Sequence, residues 1–129
     1  MTYARFAGLA LATAMAVAAP AFAQMPSTPG NVKIAGGVLT NSDGLTLYTF
    51  DKDIAPGKSA CNGQCLVNWP AVTAGADAMT MGDWSVVTRD EGAKQWAYKG
   101  KPLYTFIQDK KSGDITGDGK GGVWHIAKP

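Results

Sequence analysis

The stretch "GLTLYTFDKD", Gly44 to Asp53, is written again as "GKPLYTFIQD", Gly100 to Asp109. Gly, Leu, Tyr, Thr, Phe and the closing Asp agree between the two copies. Self-similarity at a fixed period is the mark of a chain built from structural repeats. The flanks extend the likeness. "GVLTNSDG" before the first copy resembles "SVVTRDEG" before the second, with Val38, Thr40 and Gly44 against Val86, Thr88 and Gly92. Downstream, Trp69 corresponds to Trp124. On this alignment the second half carries an insertion, "AKQWAYKG". Repeat one then covers about 31–76 and repeat two about 84–129. One half alone buries too little apolar surface to be stable, so two halves are expected to share a core.

Within the phrase, residues two apart share a face of a strand. Tyr48 and Phe50 point one way, as do Tyr104 and Phe106. Leu47 with Thr49, and Leu103 with Thr105, take the other face. Each aromatic pair is read as core, with a Tyr hydroxyl that needs a partner. Asp53 and Asp109 fall where the strand ends, and a carboxylate there accepts hydrogen bonds from turn N–H groups. The other reading is an aromatic binding surface repeated about a pseudo-twofold.

The rest of the chain shows no sustained helical period. Short apolar runs alternate with Gly, Asp, Asn and Pro, which predicts an all-β domain of two similar antiparallel halves. The expected strands are "VKIAGGVLT", "LTLYTF", "WPAVT", "WSVVTRD", "KQWAYKG", "PLYTFI" and "GVWHIAK". "NSDG" (Asn41 to Gly44), "RDEG" (Arg89 to Gly92) and "KGKP" (Lys99 to Pro102) read as turns. "GADAMTMGD" is a short helix or a linking loop between the halves.

Residues 1–23 read as a signal peptide: Arg5, then an apolar run, then the small-x-small site Ala21-Phe22-Ala23, with cleavage expected before Gln24. The run is too short and Ala-rich for a membrane span. Residues 24–30 form a Pro- and Gly-rich arm, and 31–129 the single duplicated domain. A periplasmic or secreted monomer is expected. Without Arg5 the basic and acidic residues nearly balance at about +1, and the charges are scattered, which speaks against nucleic acid as partner. An envelope partner or a small ligand is expected instead.

These residues resemble a known family: the bacterial secreted-repeat proteins of unknown function, described as predicted lipoproteins with a Tyr-x-(Phe/Trp/Tyr)-x-x-Asp motif. Here the motif is Tyr48-Thr49-Phe50-Asp51-Lys52-Asp53 and Tyr104-Thr105-Phe106-Ile107-Gln108-Asp109. "CNGQCLVNWP" (Cys61 to Pro70) and "GDGKGGVWHIAKP" (Gly117 to Pro129) look like further hallmarks. The resemblance implies an extracytoplasmic protein and brings no established activity. No Cys follows the expected cleavage site, so the lipid anchor of the lipoprotein members is not expected.

Candidate chemistry is sparse. Cys61 and Cys65 in "CNGQC" read first as a disulfide, since close cysteine pairs in an oxidising compartment prefer each other. The alternatives are a redox dithiol, or copper held by Cys61, Cys65 and His125, with Met79 and Met81 as further soft groups. "DITGDG" opens like a calcium loop, with Asp114, Thr116 and Asp118 at the first, third and fifth positions. His125 stands where the closing Glu belongs. No nucleophile–base arrangement can be assembled around His125, so no enzyme is expected. Trp69, Trp84, Trp96 and Trp124 read as core, with an exposed subset as the alternative that would suit a glycan or apolar ligand.

Overall fold

The computed structural model describes residues 28–129. Residues 1–27, where a signal peptide and the start of an arm are expected, lie outside the described residues. Seven short strands carry the fold: β1 Val32–Ala35, β2 Val38–Asn41, β3 Tyr48–Phe50, β4 Trp84–Thr88, β5 Lys94–Tyr98, β6 Lys101–Pro102 and β7 Trp124–Ile126. One helix, α1 Gln64–Asn68, and one 3-10 turn, Lys120–Gly122, each precede a conserved-in-repeat tryptophan, Trp69 and Trp124. The domain is all-β with two similar halves.

The hydrogen-bond ladder shows how the halves are joined. The paired β-strands are all antiparallel, in the orders β1-β2, β3-β7 and β4-β5-β6. Single bridges link these pieces. Tyr48 N–H donates to the Tyr104 carbonyl and Tyr104 N–H to the Tyr48 carbonyl, so the two motif strands meet at a pseudo-twofold. Each then pairs outward with the tryptophan strand of the other half. Tyr48 lies opposite Ile126, and Tyr104 opposite Ala71. Asp51 N–H donates to Val123 and Ile107 N–H to Asn68. The halves therefore exchange strands rather than sit side by side.

The same ladder sets the residue equivalences. Leu47 N–H donates to the Leu39 carbonyl, and Leu103 N–H to that of Trp96. Leu39 N–H in turn donates to the Ala127 carbonyl, and Trp96 N–H to that of Val72. So β2 corresponds to β5 and β1 to β4. The expected upstream alignment is corrected here: "AKQWAYKG" is no insertion but holds the counterpart of β2. The extra residues of the second half lie in the Thr88–Lys94 turn, where the first half has only Gly36-Gly37. The single strand expected over "VKIAGGVLT" is likewise a hairpin. Gly36 and Gly37 have φ of 60° and 81°, as a two-residue type I′ connection requires. "GADAMTMGD" contains no helix.

The alternating faces of the phrase build two apolar clusters. Leu47 and Leu103 enter one with Val32, Leu39, Val72, Trp84 and Trp96. Tyr48, Tyr104 and Phe106 enter the other with Cys61, Trp69 and Trp124. In the second, four rings form a column. Phe50 stacks on Trp124 (4.2 Å between centroids), Trp124 on Trp69 (3.7 Å), and Trp69 on Phe106 (4.1 Å). Tyr48 and Tyr104 meet the two tryptophans edge-on at 5.4 and 5.2 Å. All four tryptophans are buried, so the alternative of exposed tryptophans for a glycan is not met.

Gly117 closes one end of this column. A Cβ there would stand 2.7 Å from the Trp69 ring and 3.1 Å from that of Phe106, both locked by stacking. Gly117→Ala is expected to lower unfolding free energy by about 1–3 kcal/mol, the usual range for overpacking. Gly57→Ala is a poor comparison because its φ is positive. Gly75→Ala, with open space around it, is the control. Urea melts of the two variants check the difference.

Candidate functional site

The motif Tyr and Asp are brought together across the pseudo-twofold. Tyr48 donates to Asp109 Oδ2 and Tyr104 to Asp53 Oδ2, each at 2.6 Å. The phenol of each repeat thus takes the carboxylate of the other. The second oxygen of each Asp accepts from the loop that follows: Asp53 Oδ1 from Ala60 N–H, Asp109 Oδ1 from Thr116 N–H and its hydroxyl. The expected role of Asp53 and Asp109 as acceptors for turn N–H groups is present. The crossed Tyr–Asp bonds are what the sequence did not show.

The two copies of this clasp differ in their surroundings. Around Asp109 the arrangement is spare: Tyr48 accepts a long bond from Gly117 N–H and donates its hydroxyl hydrogen bond to the carboxylate. Around Asp53 a larger polar network is built on Arg89, which is buried. Its Nη1 donates to Ser59 Oγ (2.8 Å) and Gln95 Oε1 (2.7 Å). Its Nη2 donates to the Cys61 carbonyl and to Asn62 Oδ1, and its Nε to Glu91. Ser59 Oγ already accepts from Arg89 and from Cys61 N–H, so its proton is free for the Tyr104 oxygen. The Tyr104 proton then goes to Asp53. Gln95 completes the network by donating to the Leu103 carbonyl.

Burial governs the electrostatics. It raises both Tyr48 and Tyr104 well above the ordinary phenol range, helped by the carboxylate each one bonds. Burial also raises Asp53, against the lowering effect of the Tyr104 hydroxyl, Ala60 N–H and the Arg89 charge. A tyrosine whose folded pKa lies above its unfolded one contributes stability below the unfolded value. That contribution is lost as pH rises through the folded pKa. Phenolate absorbance is therefore expected to show Tyr48 and Tyr104 ionising only together with alkaline unfolding. Stepwise ionisation of either below the unfolding transition, compared with Tyr48→Phe and Tyr104→Phe, would contradict the clasp.

The other candidates are distributed as follows. Cys61 and Cys65 form a disulfide, with Cys61 packed in the aromatic cluster. The ring it closes is small, for which chain-entropy reasoning allows about 2 kcal/mol. His125 projects from the opposite face of β7 to Trp124, exposed, and pairs with Asp51 Oδ2 at 2.8 Å. The proposed copper set is thereby corrected: the thiols are bonded to each other and the imidazole faces solvent with a carboxylate. Met79 is exposed. The calcium reading is corrected too. Asp114 accepts from the N–H groups of Lys110 and Lys111, Thr116 bonds Asp109, and Asp118 accepts from Ile126 N–H. Asp114 caps its own turn, while Thr116 and Asp118 tie the loop to Asp109 and to β7, instead of converging. Among the described residues no group of three or more His, Cys, Asp or Glu side chains is placed to hold a metal ion, and no helix is long and apolar enough to cross a membrane.

Arg89, Gln95 and Ser59 are the residues sequence reasoning missed. One signal was present. Arg89 is the single arginine after Arg5 in a chain that otherwise uses lysine. A planar, five-donor guanidinium suits a buried node that an ammonium cannot serve.

A family model described as a secreted repeat of unknown function matches residues 33–73 and 85–128. These segments begin in β1 and β4, the strands that the hydrogen-bond ladder makes equivalent. No curated protein and no solved structure matches the chain.

Proposed function

The chain belongs to this family of secreted repeats of unknown function, and from that premise we propose that it is a non-enzymatic module of the bacterial envelope. It acts there by binding or as a structural part, as a monomer released after cleavage between Ala23 and Gln24. The reciprocal Tyr48–Asp109 and Tyr104–Asp53 bonds carry this reading. A catalytic acid, base or nucleophile must reach a reacting atom. The motif residues instead satisfy one another across the pseudo-twofold, with Tyr48, Tyr104 and Asp109 buried and Asp53 half-buried. Their role is to close the duplicated fold, and this leaves the surface for recognition.

The test is turnover. Mature protein offered ester, phosphate-ester and disulfide-exchange substrates is expected to stay at the rate of the blank. Catalysis that disappears in folded Asp53→Asn, Asp109→Asn or Cys61→Ser protein would overturn the proposal.

A further inference from the structure

The duplication supplies an internal comparison. One cleft of about 180 Å³ lies between the β5–β6 turn and the end of β7. A second lies at the matching place in the other half. By the ladder equivalences, Thr49, Tyr98, Lys99, Ile126, Ala127 and Lys128 of the first correspond to Thr105, Asn41, Ser42, Ala71, Val72 and Thr73 of the second. The same scaffold is thus lined twice. The backbone and the apolar or Thr positions are alike. Where the second cleft has Ser42 and Thr73, the first has Lys99 and Lys128, with Lys101 added. The fold does not demand these charges, because its other copy is built without them. Among the described residues no carboxylate lines the lysine cleft.

Lys99 has an independent oddity. It is the only described non-Gly residue with positive φ, at 51°, and Gly100 follows at 83°. This two-residue connection between β5 and β6 is the type I′ geometry, whose first position favours Asn, Asp or Gly. A lysine there is held against its backbone preference, and such residues concentrate at functional positions. Its ammonium is kept over the Tyr98 ring, 5.2 Å from the centroid, at the cleft.

We propose that this cleft binds a small phosphate monoester. Three ammoniums supply compact point charges suited to a doubly charged tetrahedral group, and no arginine fork that would favour a planar carboxylate is present. Tyr98 and Leu103 offer apolar surface to the carbon body of the ester. The volume is below that of sites for drug-sized ligands, which limits the ligand to a phosphate with a short body, free or as a lipid headgroup. The inference rests on the reading of the protein as a binding module.

The experiment titrates mature protein with glycerol phosphate, and separately with phosphatidylcholine vesicles with and without phosphatidic acid. Amide resonances are followed, and inorganic phosphate is assayed in the same samples. Saturable shifts at Lys99, Lys101 and Lys128, with Ser42 and Thr73 unmoved, are expected. Affinity should fall about tenfold for each lysine removed in Lys99→Gln and Lys128→Gln, as for loss of one charge-assisted bond. Lys99→Asn gives the sharper readout: affinity falls while the melting temperature rises, because Asn accepts the turn geometry. Binding to phosphatidic acid vesicles alone, with the same lysine dependence, assigns the phosphate to a lipid headgroup and sustains the cleft. No saturable binding in either arm, or binding retained by the Lys99→Gln/Lys128→Gln double variant, overturns it. Release of inorganic phosphate would instead sink the non-enzymatic reading and leave the cleft in place.

Discussion

Trp124→Ala is expected to cost about 3–5 kcal/mol, the range for removing a large aromatic side chain from a core. For a domain whose total stability is on the order of 5–15 kcal/mol, that is a large share. The reason is position. Trp124 is stacked between Phe50 and Trp69 and takes the edge of Tyr104. Phe50 and Tyr104 come from different repeats, so one truncation loosens the contact between halves and not merely a local pocket. Trp124→Phe keeps the protein folded and preserves part of the stack, and is expected to lose less. Because Trp69 and Trp124 touch, their alanine effects should be non-additive in a double-mutant cycle. Trp124 and Trp84 lie in different clusters and should add. Urea unfolding of these variants decides it. Equal additivity in both cycles would show that the column does not act as a unit.

The ring column also shows how far the sequence could be read. Period-two alternation placed Tyr48 with Phe50 and Tyr104 with Phe106 on one face, and the structure keeps them there. The turn at Asn41–Gly44 was legible because Asn and Gly have their own turn chemistry. There, Asn41 Oδ1 accepts from Asp43 and Leu45 N–H groups, and Gly44 has a φ of 87°. Alternation says which face a residue takes but not which strand lies beside it. For that reason the exchange of strands between halves, Tyr48 against Ile126 and Tyr104 against Ala71, could not be read. Gly36-Gly37 is hidden in the sequence for a related reason: the alternation continues through the pair, and only the backbone sign reveals the hairpin. The copper and calcium sets were drawn from residue types and spacing. Spacing cannot tell a converging side chain from one capping its own turn, as Asp114 does, or one bonded to a strand, as Asp118 is.

Arg89→Met is expected to be nearly as damaging, at about 3–5 kcal/mol, the range for breaking a buried charged network by removing one partner. The cost comes less from the lost bonds than from the acceptors left behind. Gln95 Oε1 and the Cys61 carbonyl are interior and have no water to turn to. Lysine cannot repair this, because one ammonium at the end of a flexible stem cannot reproduce five donors in a plane. Arg89→Lys should therefore recover little. The network also ties the Thr88–Lys94 turn of the second half to the disulfide loop of the first, so its loss should loosen the loop around Ser59. A pH signature separates this from simple loss of packing. The Arg89 charge opposes the burial that raises Asp53. Removing it should lift Asp53 further above the ordinary carboxylate range. A carboxyl with a raised folded pKa contributes stability when protonated and loses it as pH rises through the folded value. The penalty of Arg89→Met should accordingly be largest at neutral pH and shrink on acidification through the Asp53 titration. Carboxyl resonances of Asp53 followed alongside urea melts provide the check. A penalty that does not change with pH would mean that the guanidinium charge does not act on Asp53 and that the cost is that of the bonds lost to Ser59, Gln95, Cys61 and Asn62.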